Sequence, residues 1–241
     1  MALTTLPGLD PTEVALESPV YLAQKFLTAA YDSVDSLIAT TYPALRGQRT
    51  GTRGALTDPE QDLFRAAVVF AGAGVDAVLK EAIRHCVSIR IENSETASEK
   101  YLDFIERYLK DGQDLAPRKL AALLVSKTPG EDLQAAYVEY LTGSSLQSKT
   151  QVVNVLSALG LDSEKELYKE SQSLNALFKA RNEIAHEMDL TPSSVRLPRS
   201  RKKRSRTLPS YVEMCHAGLN YCQKVLNRLE VHVSSQGALS C

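Results

Sequence analysis

The sequence predicts an all-α protein, an up-and-down helical bundle with extra short helices, and three observations indicate this fold class. Apolar residues recur at intervals of three and four through most of the 241 residues. Serine, threonine or aspartate stands before these apolar runs, in places followed by proline, as at the starts of helices. No stretch shows the alternation of a half-buried strand or the turn signals of a hairpin, and no internal repeat is present.

The two long helices of the first half begin at similar signals. Ser18-Pro19 precedes a periodic run that continues to about Thr41, and Pro43 with the segment RGQRTGTRG after it predicts a loop. Asp58-Pro59 opens a second helix, which is expected to be the central and most buried one. This helix has a second apolar side, formed by Ala66, Val69 and Phe70.

The tetrapeptide AGAG at 71–74 lies inside the second helix. Its small side chains would allow another helix to approach closely, which is the interpretation we favour. A phosphate-binding loop is the alternative, but no strand precedes the segment and neither nucleotide-binding fingerprint is complete.

Capping boxes predict the starts of later helices, at Thr96-x-x-Glu99, Ser163-x-x-Glu166 and Ser210-x-x-Glu213. Shorter helices are expected at about 117–127, 131–141 and 147–159. The last helix carries an apolar seam that should pack against other helices, formed by Val212, Cys215, Leu219, Cys222, Leu226, Leu229 and Val233. We expect an N-terminal arm over residues 1–17, one helical domain over 18–234 and a frayed tail over 235–241.

Composition indicates a soluble, reduced, cytoplasmic protein. Hydrophobic residues make up 44% of the chain, and no apolar run approaches the roughly 20 residues that span a membrane. The N-terminus lacks the basic-then-apolar order of a signal peptide. The four cysteines form no Cys-x-x-Cys pair.

Positive charge is concentrated in one segment, although the formal net charge is only −1. Residues 196–206, RLPRSRKKRSR, contain seven basic residues and no acidic one, in a loop expected at 187–208 before the last helix. A solvated loop or a nuclear signal is the alternative to nucleic-acid binding. The candidate RNA-binding residues are Arg196, Arg199, Arg201, Lys202, Lys203, Arg204 and Arg206.

The segment LNALFKARNEIAHEMDL at 174–190 carries the candidate catalytic residues Arg181, Asn182 and His186. Arg181 falls within a predicted apolar stripe, so it should either meet a buried carboxylate or line a cleft. His186 lies about 140° around an ideal helix from Arg181, whereas Asn182 and His186 share a face. The helix must therefore end or bend near His186, or a second copy must complete the site. The stripe comprises Leu167, Ser171, Leu174, Leu177, Phe178, Ile184 and Ala185.

These residue types suit metal-free RNA cleavage. Attack by the RNA's own 2′-hydroxyl needs a base, an acid for the leaving 5′-oxygen and a cation for the phosphate, which histidine and arginine can supply. The alternatives are a histidine that caps its helix and an arginine in a structural ion pair. The histidines show no metal-ligand spacing, no Gly-x-Ser-x-Gly elbow is present, and we expect neither metal nor cofactor.

The motif and its position resemble the HEPN superfamily, whose mark is Arg, a polar residue, three to five more residues and His. RNEIAHEMDL, the basic segment and the last amphipathic helix are most similar to the RiboL-PSP branch, as is the helix around DLFRAAVVFAGAGVDAVLKEAIRHC. The resemblance covers roughly residues 19–234 and identifies residues 18–234 as a HEPN-like domain.

This resemblance implies a homodimer with facing motifs and metal-independent endoribonuclease activity, often within toxin–antitoxin or antiviral (antiphage) defence systems. Its implied partners are RNA, a second copy and a cognate antitoxin or defence-system protein, with no membrane. Met188 stands where toxins neutralised by adenylylation carry tyrosine, which argues against that control. Some relatives bind RNA or protein without cutting, so a non-catalytic HEPN-like module is the alternative.

Overall fold

The computed structural model describes residues 5–48, 54–111, 114–190 and 203–237. These residues are mainly helical, which confirms the all-α class; one antiparallel pair of two-residue strands, β1 (Lys110–Asp111) and β2 (Asp114–Leu115), was not expected. The α-helices are α1 (Tyr21–Asp35), α2 (Tyr42–Gly47), α3 (Asp58–Asn93), α4 (Glu95–Tyr108), α5 (Pro117–Val125), α6 (Pro129–Thr142), α7 (Lys149–Ala158), α8 (Lys165–Glu170), α9 (Leu174–Glu187) and α10 (Leu208–Gly237).

The helix α3 is the centre of the fold, as expected. Thr57 caps its start in a capping box with Glu60, and its 36 residues contact α1, α4, α6, α7, α9 and α10. The second apolar side of α3 is not buried as expected: Ala66 and Val69 are only partly buried, and Phe70 is 50% exposed. That side of α3 therefore faces outward in the single chain.

The glycines of the AGAG segment lie at helix crossings, which confirms the expected close approach. A Cβ at Gly74 would lie 2.5 Å from the Cβ of Ala30 on α1 and 3.5 Å from Leu219 on α10. The predicted seam of α10 is also buried throughout, from Val212 to Val233. α1, α3 and α10 thus pack against one another in a three-helix core.

Several helix boundaries differ from the expectation. Ser94, not Thr96, caps α4, and α10 begins at Leu208, before Ser210. The chain does not leave the helical path at Pro43; a π-helical segment (Ser36–Thr41) leads into α2, where the proline occupies the first turn. The predicted helix after Ser163 is divided into α8, a 3₁₀ turn (Ser171–Ser173) and α9. Serine hydroxyls that bond nearby backbone carbonyls explain the division, since Ser171 Oγ donates to Tyr168 O at 2.7 Å.

Both ends of the described chain pack against or extend α10. Leu6 is buried, the backbone N–H of Thr12 donates to Asn227 Oδ1 at 3.0 Å, and Asn227 Nδ2 donates to Asp10 O at 2.9 Å. Of the tail expected at 235–241, residues 235–237 continue the helix and 238–241 lie outside the described residues. No helix among the described ranges has the length and apolar character needed to cross a membrane.

Candidate functional site

The helix α9 carries the motif on the side that turns away from the core. Its inner face packs against α3 and α10 and buries Leu174, Leu177, Phe178 and Ala180. The predicted apolar stripe does not continue into the core beyond this face, because Ile184 is partly buried and Ala185 is exposed. Arg181 consequently stands at the edge of the buried face rather than in the middle of it.

The stem of Arg181 lies across α3 at Gly72. A Cβ at position 72 would lie 3.1 Å from Arg181 Cγ and 3.6 Å from its Cβ, so glycine provides the space for the stem. Nη1 donates to the Oδ1 of Asn182 at 3.1 Å, and Nε is buried without a hydrogen-bond partner in the described chain. No carboxylate of the described residues pairs with Arg181, so the buried-carboxylate interpretation is not supported there.

Asn182 and His186 are both exposed and, being four residues apart, lie on the same face of α9. The helix stays regular through Glu187, so the stems of Arg181 and His186 leave it about 140° apart. Asn182, which accepts the hydrogen bond from Arg181, shares the exposed face with His186. The structure of one chain therefore links Arg181 to Asn182 but shows no contact between Arg181 and His186.

The helix ends at Glu187, one residue after His186, which is one of the two alternatives that the geometry of the motif left open. Met188 and Asp189 both adopt left-handed backbone conformations, with φ of 53° and 56°, which is uncommon for residues other than glycine. The N–H of Asp189 donates to Glu183 O at 2.9 Å and closes the helix. Strained backbone of this kind persists only where surrounding contacts hold it.

A buried ionic cluster supplies those contacts. Asp189 is fully buried, and its Oδ2 accepts hydrogen bonds from Arg65 Nε and from Arg206 Nη1, each at 2.7 Å. Arg206 Nη2 also donates to Glu183 Oε2 at 2.9 Å. The N–H of Arg204 donates to Asp189 O at 2.8 Å, so backbone and side chain of Asp189 are both fixed.

The last three basic residues of the segment 196–206 form ion pairs in and around this cluster. Lys203 Nζ lies 2.8 Å from Asp62 Oδ1, and its hydrogen bond is the main cause that lowers the pKa of Asp62. Arg204 lies 3.5 Å from both Glu183 and Glu187. The structure therefore places Lys203, Arg204 and Arg206 in ion pairs. The other predicted RNA-binding residues lie outside the described residues: Arg196, Arg199, Arg201 and Lys202.

An apolar groove of about 310 Å³ lies beside the motif, between α3 and α9. Phe70 is 50% exposed and Met188 is 68% exposed, so both present large apolar surface there. Asp62, Arg65 and Lys203 form its charged rim, and its apolar lining consists of Ala66, Val69, Phe70, Ile184 and Met188. Exposed apolar surface with a charged rim is typical of an interaction site.

Sequence reasoning did not find Asp189 or Arg65, which hold the end of α9. A lone aspartate after a helix and an arginine inside another helix carry no pattern that reveals their pairing across the fold. Gly72 did have a signal, since glycine inside an apolar helix indicates a close approach.

The remaining histidines lie elsewhere. His85 lies 3.3 Å from Glu81 within α3, His232 lies 3.6 Å from Glu164, and burial lowers the pKa of the partly buried His216. Within the described ranges, no three His, Cys, Asp or Glu side chains are arranged to hold a metal ion. Comparison of the chain with models of known protein families, with curated proteins and with solved structures finds no match.

Proposed function

We propose that this chain is a metal-independent endoribonuclease whose site consists of Arg181, Asn182 and His186 from two facing copies. One observation carries the proposal. The guanidinium of Arg181 binds the amide of Asn182 instead of a carboxylate among the described residues, and His186 is exposed on the face of α9 that carries Asn182. An arginine without a carboxylate partner among these residues and an exposed imidazole are both suited to a phosphodiester.

Two neighbouring arginines, Arg65 and Arg206, have structural roles and differ from Arg181 in their partners. Arg65 and Arg206 bracket the end of α9, and both bind the buried Asp189 at 2.7 Å. Their charges are compensated within the chain. Arg181 keeps its stem ordered against Gly72 but retains its charge for another group.

The proposed reaction is an internal transfer at phosphorus. The 2′-oxygen of the RNA forms a bond to phosphorus, the bond between phosphorus and the 5′-oxygen breaks, and the products are a 2′,3′-cyclic phosphate and a 5′-hydroxyl. His186 takes the proton from the 2′-hydroxyl or gives one to the leaving 5′-oxygen. Arg181 binds the non-bridging oxygens, and Asn182 orients the guanidinium.

The groove beside the motif supports the dimer. A two-fold interface that covers Phe70 and Met188 would bury apolar surface that the single chain leaves exposed, and it would bring the two α9 helices together. Arg181 of one copy would then face His186 of the other, a pair that the geometry of a single α9 does not bring together. The same face thus serves assembly and chemistry.

The first test is cleavage of end-labelled RNA in EDTA, with product ends identified by chromatography. We expect cutting without added metal and 2′,3′-cyclic phosphate ends, abolished by His186→Ala. Truncation of the exposed His186 opens no cavity, so the variant should retain its circular dichroism spectrum. His85→Ala, another accessible histidine on α3, is the matched control and should cut normally. Normal cutting by His186→Ala would remove the residue from the mechanism.

The second test asks whether the site spans two chains. Arg181→Ala and His186→Ala should each be inactive, and mixing them yields heterodimers. If Arg181 of one copy works with His186 of the other, about a quarter of the original activity returns, because half the dimers are mixed and each has one intact site. A site confined to one chain regains nothing.

RNA binding without cutting by the unaltered protein would favour the non-catalytic module. We further propose that the nuclease acts as a toxin or defence effector, neutralised by a cognate partner. Growth arrest on expression that His186→Ala abolishes would support this role.

A further inference from the structure

A second cavity, of about 380 Å³, lies between α4, α6 and α7. None of the residues that line it belongs to α9, so it is distinct from the motif site. Its volume lies within the range of pockets that hold small ligands, roughly 300–1,000 Å³. The residues that line it include two cations, two tyrosines and two amides: Lys100, Arg107, Tyr137, Tyr140, Gln151 and Asn154.

One wall of the cavity is aromatic. Tyr137 is only 2% exposed and packs its ring 5.0 Å from that of Phe104 and 5.3 Å from that of Tyr101, so it belongs to the core. Tyr140 is 55% exposed, and its ring is nearly parallel to that of Tyr137, at an interplanar angle of 12° and a centroid distance of 6.5 Å. The fold fixes Tyr140 through this aromatic cluster but leaves much of the residue accessible.

A guanidinium lies over the face of this ring. The guanidinium carbon of Arg107 lies 5.8 Å from the ring centroid of Tyr140, and Arg107 Nε donates to Asp103 O at 3.0 Å, which anchors the side chain. Lys100 lies seven residues, about two turns, earlier on α4, with Nζ 3.7 Å from the exposed carboxylate of Asp103. The cavity therefore has two cations against one carboxylate.

The opposite wall, on α7, presents amides. Gln151 Oε1 accepts a hydrogen bond from Ser148 Oγ at 2.8 Å, so the position of its amide is set and the NH₂ group remains able to donate. Asn154, three residues further along the helix, is exposed and offers both a donor and an acceptor. Amides that face an aromatic ring and a cation are able to read the edge of a stacked base.

We propose that this cavity binds one nucleotide. The base replaces the Arg107 guanidinium on the ring of Tyr140, Arg107 turns with Lys100 to the phosphate, and the base edge bonds to Gln151 and Asn154. The nucleotide is either a free mononucleotide or one unit of a single-stranded RNA, since both present the same ring and phosphate. The proposal does not rest on the nuclease activity of α9.

The test is calorimetric titration of the full chain with AMP, UMP and ribose 5-phosphate, and anisotropy with a short fluorescein-labelled oligoadenylate. The oligonucleotide is measured in the His186→Ala background, so that cleavage cannot interfere. We expect saturable binding of a nucleotide and much weaker binding of ribose 5-phosphate. Tyr140→Ala should weaken nucleotide binding roughly ten-fold or more, and Tyr140→Phe should bind normally.

Tyr168→Ala is the matched control. Tyr168 is 50% exposed and has Lys149 Nζ 5.5 Å from its ring centroid, but it lies on α8 outside the cavity. Tight AMP binding with weak oligonucleotide binding supports a free nucleotide; the reverse supports a unit of RNA. The proposal is overturned if neither probe binds saturably at millimolar concentration, or if Tyr140→Ala and Tyr168→Ala have equal effects. If the unaltered protein binds AMP but does not cut RNA, only the nuclease proposal is overturned.

Discussion

Replacing Asp189 by asparagine tests whether the ionic cluster holds the end of α9. The substitution keeps the shape of the side chain and removes its charge. Asp189 is fully buried, and one of its oxygens binds both Arg65 and Arg206 at 2.7 Å. Asp189→Asn would leave two guanidinium groups facing each other across a neutral amide, next to backbone already in a left-handed conformation.

The expected loss is about 3 kcal/mol of unfolding free energy. Removing one partner of a buried ion pair costs roughly 3–5 kcal/mol. The lower end applies because each guanidinium keeps another carboxylate: Arg65 Nη1 lies 2.7 Å from Asp62, and Arg206 Nη2 lies 2.9 Å from Glu183. For a domain of this size, such a loss lowers the melting temperature by about 6–12 °C.

Urea denaturation at neutral pH, followed by the helical circular dichroism signal, measures this loss. Asp62→Asn is the matched control, because Asp62 also binds Arg65 but its side chain is 50% exposed. An exposed pair contributes about 1 kcal/mol or less. If the two variants unfold at the same urea concentration, burial of Asp189 confers no special stability, and the cluster does not explain how α9 ends.

Three further predictions follow from other parts of the fold. Gly74→Ala should lose about 1–3 kcal/mol of stability in urea, because its Cβ would lie 2.5 Å from that of Ala30, whereas Gly130→Ala, with open space around it, should be neutral. Burial lowers the pKa of His216 from 6.5, so the unfolded chain takes up a proton at higher pH than the folded one. The free energy of unfolding should therefore decrease as the pH falls below about 6.5. In His216→Gln, the urea midpoint should change less between pH 7.5 and about 5.5. Replacing the basic residues outside the described ranges by glutamine should weaken RNA binding and flatten its salt dependence, without changing the urea midpoint; these residues are Arg196, Arg199, Arg201 and Lys202.

The fold class and the central position of α3 could be predicted because they follow from the spacing of apolar residues. The spacing of Val212, Leu219 and Leu226 indicates which side of α10 is buried, and all three are buried. The outward side of α3 could not be predicted in the same way. Phe70 is apolar in either case, and the position of α9 determines whether its side chain is buried in the core or exposed in a groove.

The candidate site could be predicted as a set of residues but not as an arrangement. The sequence places Arg181 next to Asn182, yet it does not show whether the guanidinium binds that amide or a carboxylate brought from another helix. The bond to Asn182 depends on Gly72, where the absence of a side chain lets the stem of Arg181 cross α3. Contacts between distant segments decide such details, and a single sequence carries no local signal for them.

The same limit applies to the basic segment, whose seven charges look equivalent in the sequence. The fold binds Lys203, Arg204 and Arg206 to carboxylates at distances of 2.7–3.5 Å. A cation that already has a carboxylate partner displaces fewer counterions when it meets a phosphate. With roughly 0.7 unit of slope per contact to single-stranded RNA, four contacts give a salt slope of about −3 for the segment, whereas seven give about −5. A slope near −5 for the unaltered protein, of which about −2 remains after the other four are replaced, would show that phosphate displaces the carboxylates from Lys203, Arg204 and Arg206, and that RNA binding loosens the end of α9.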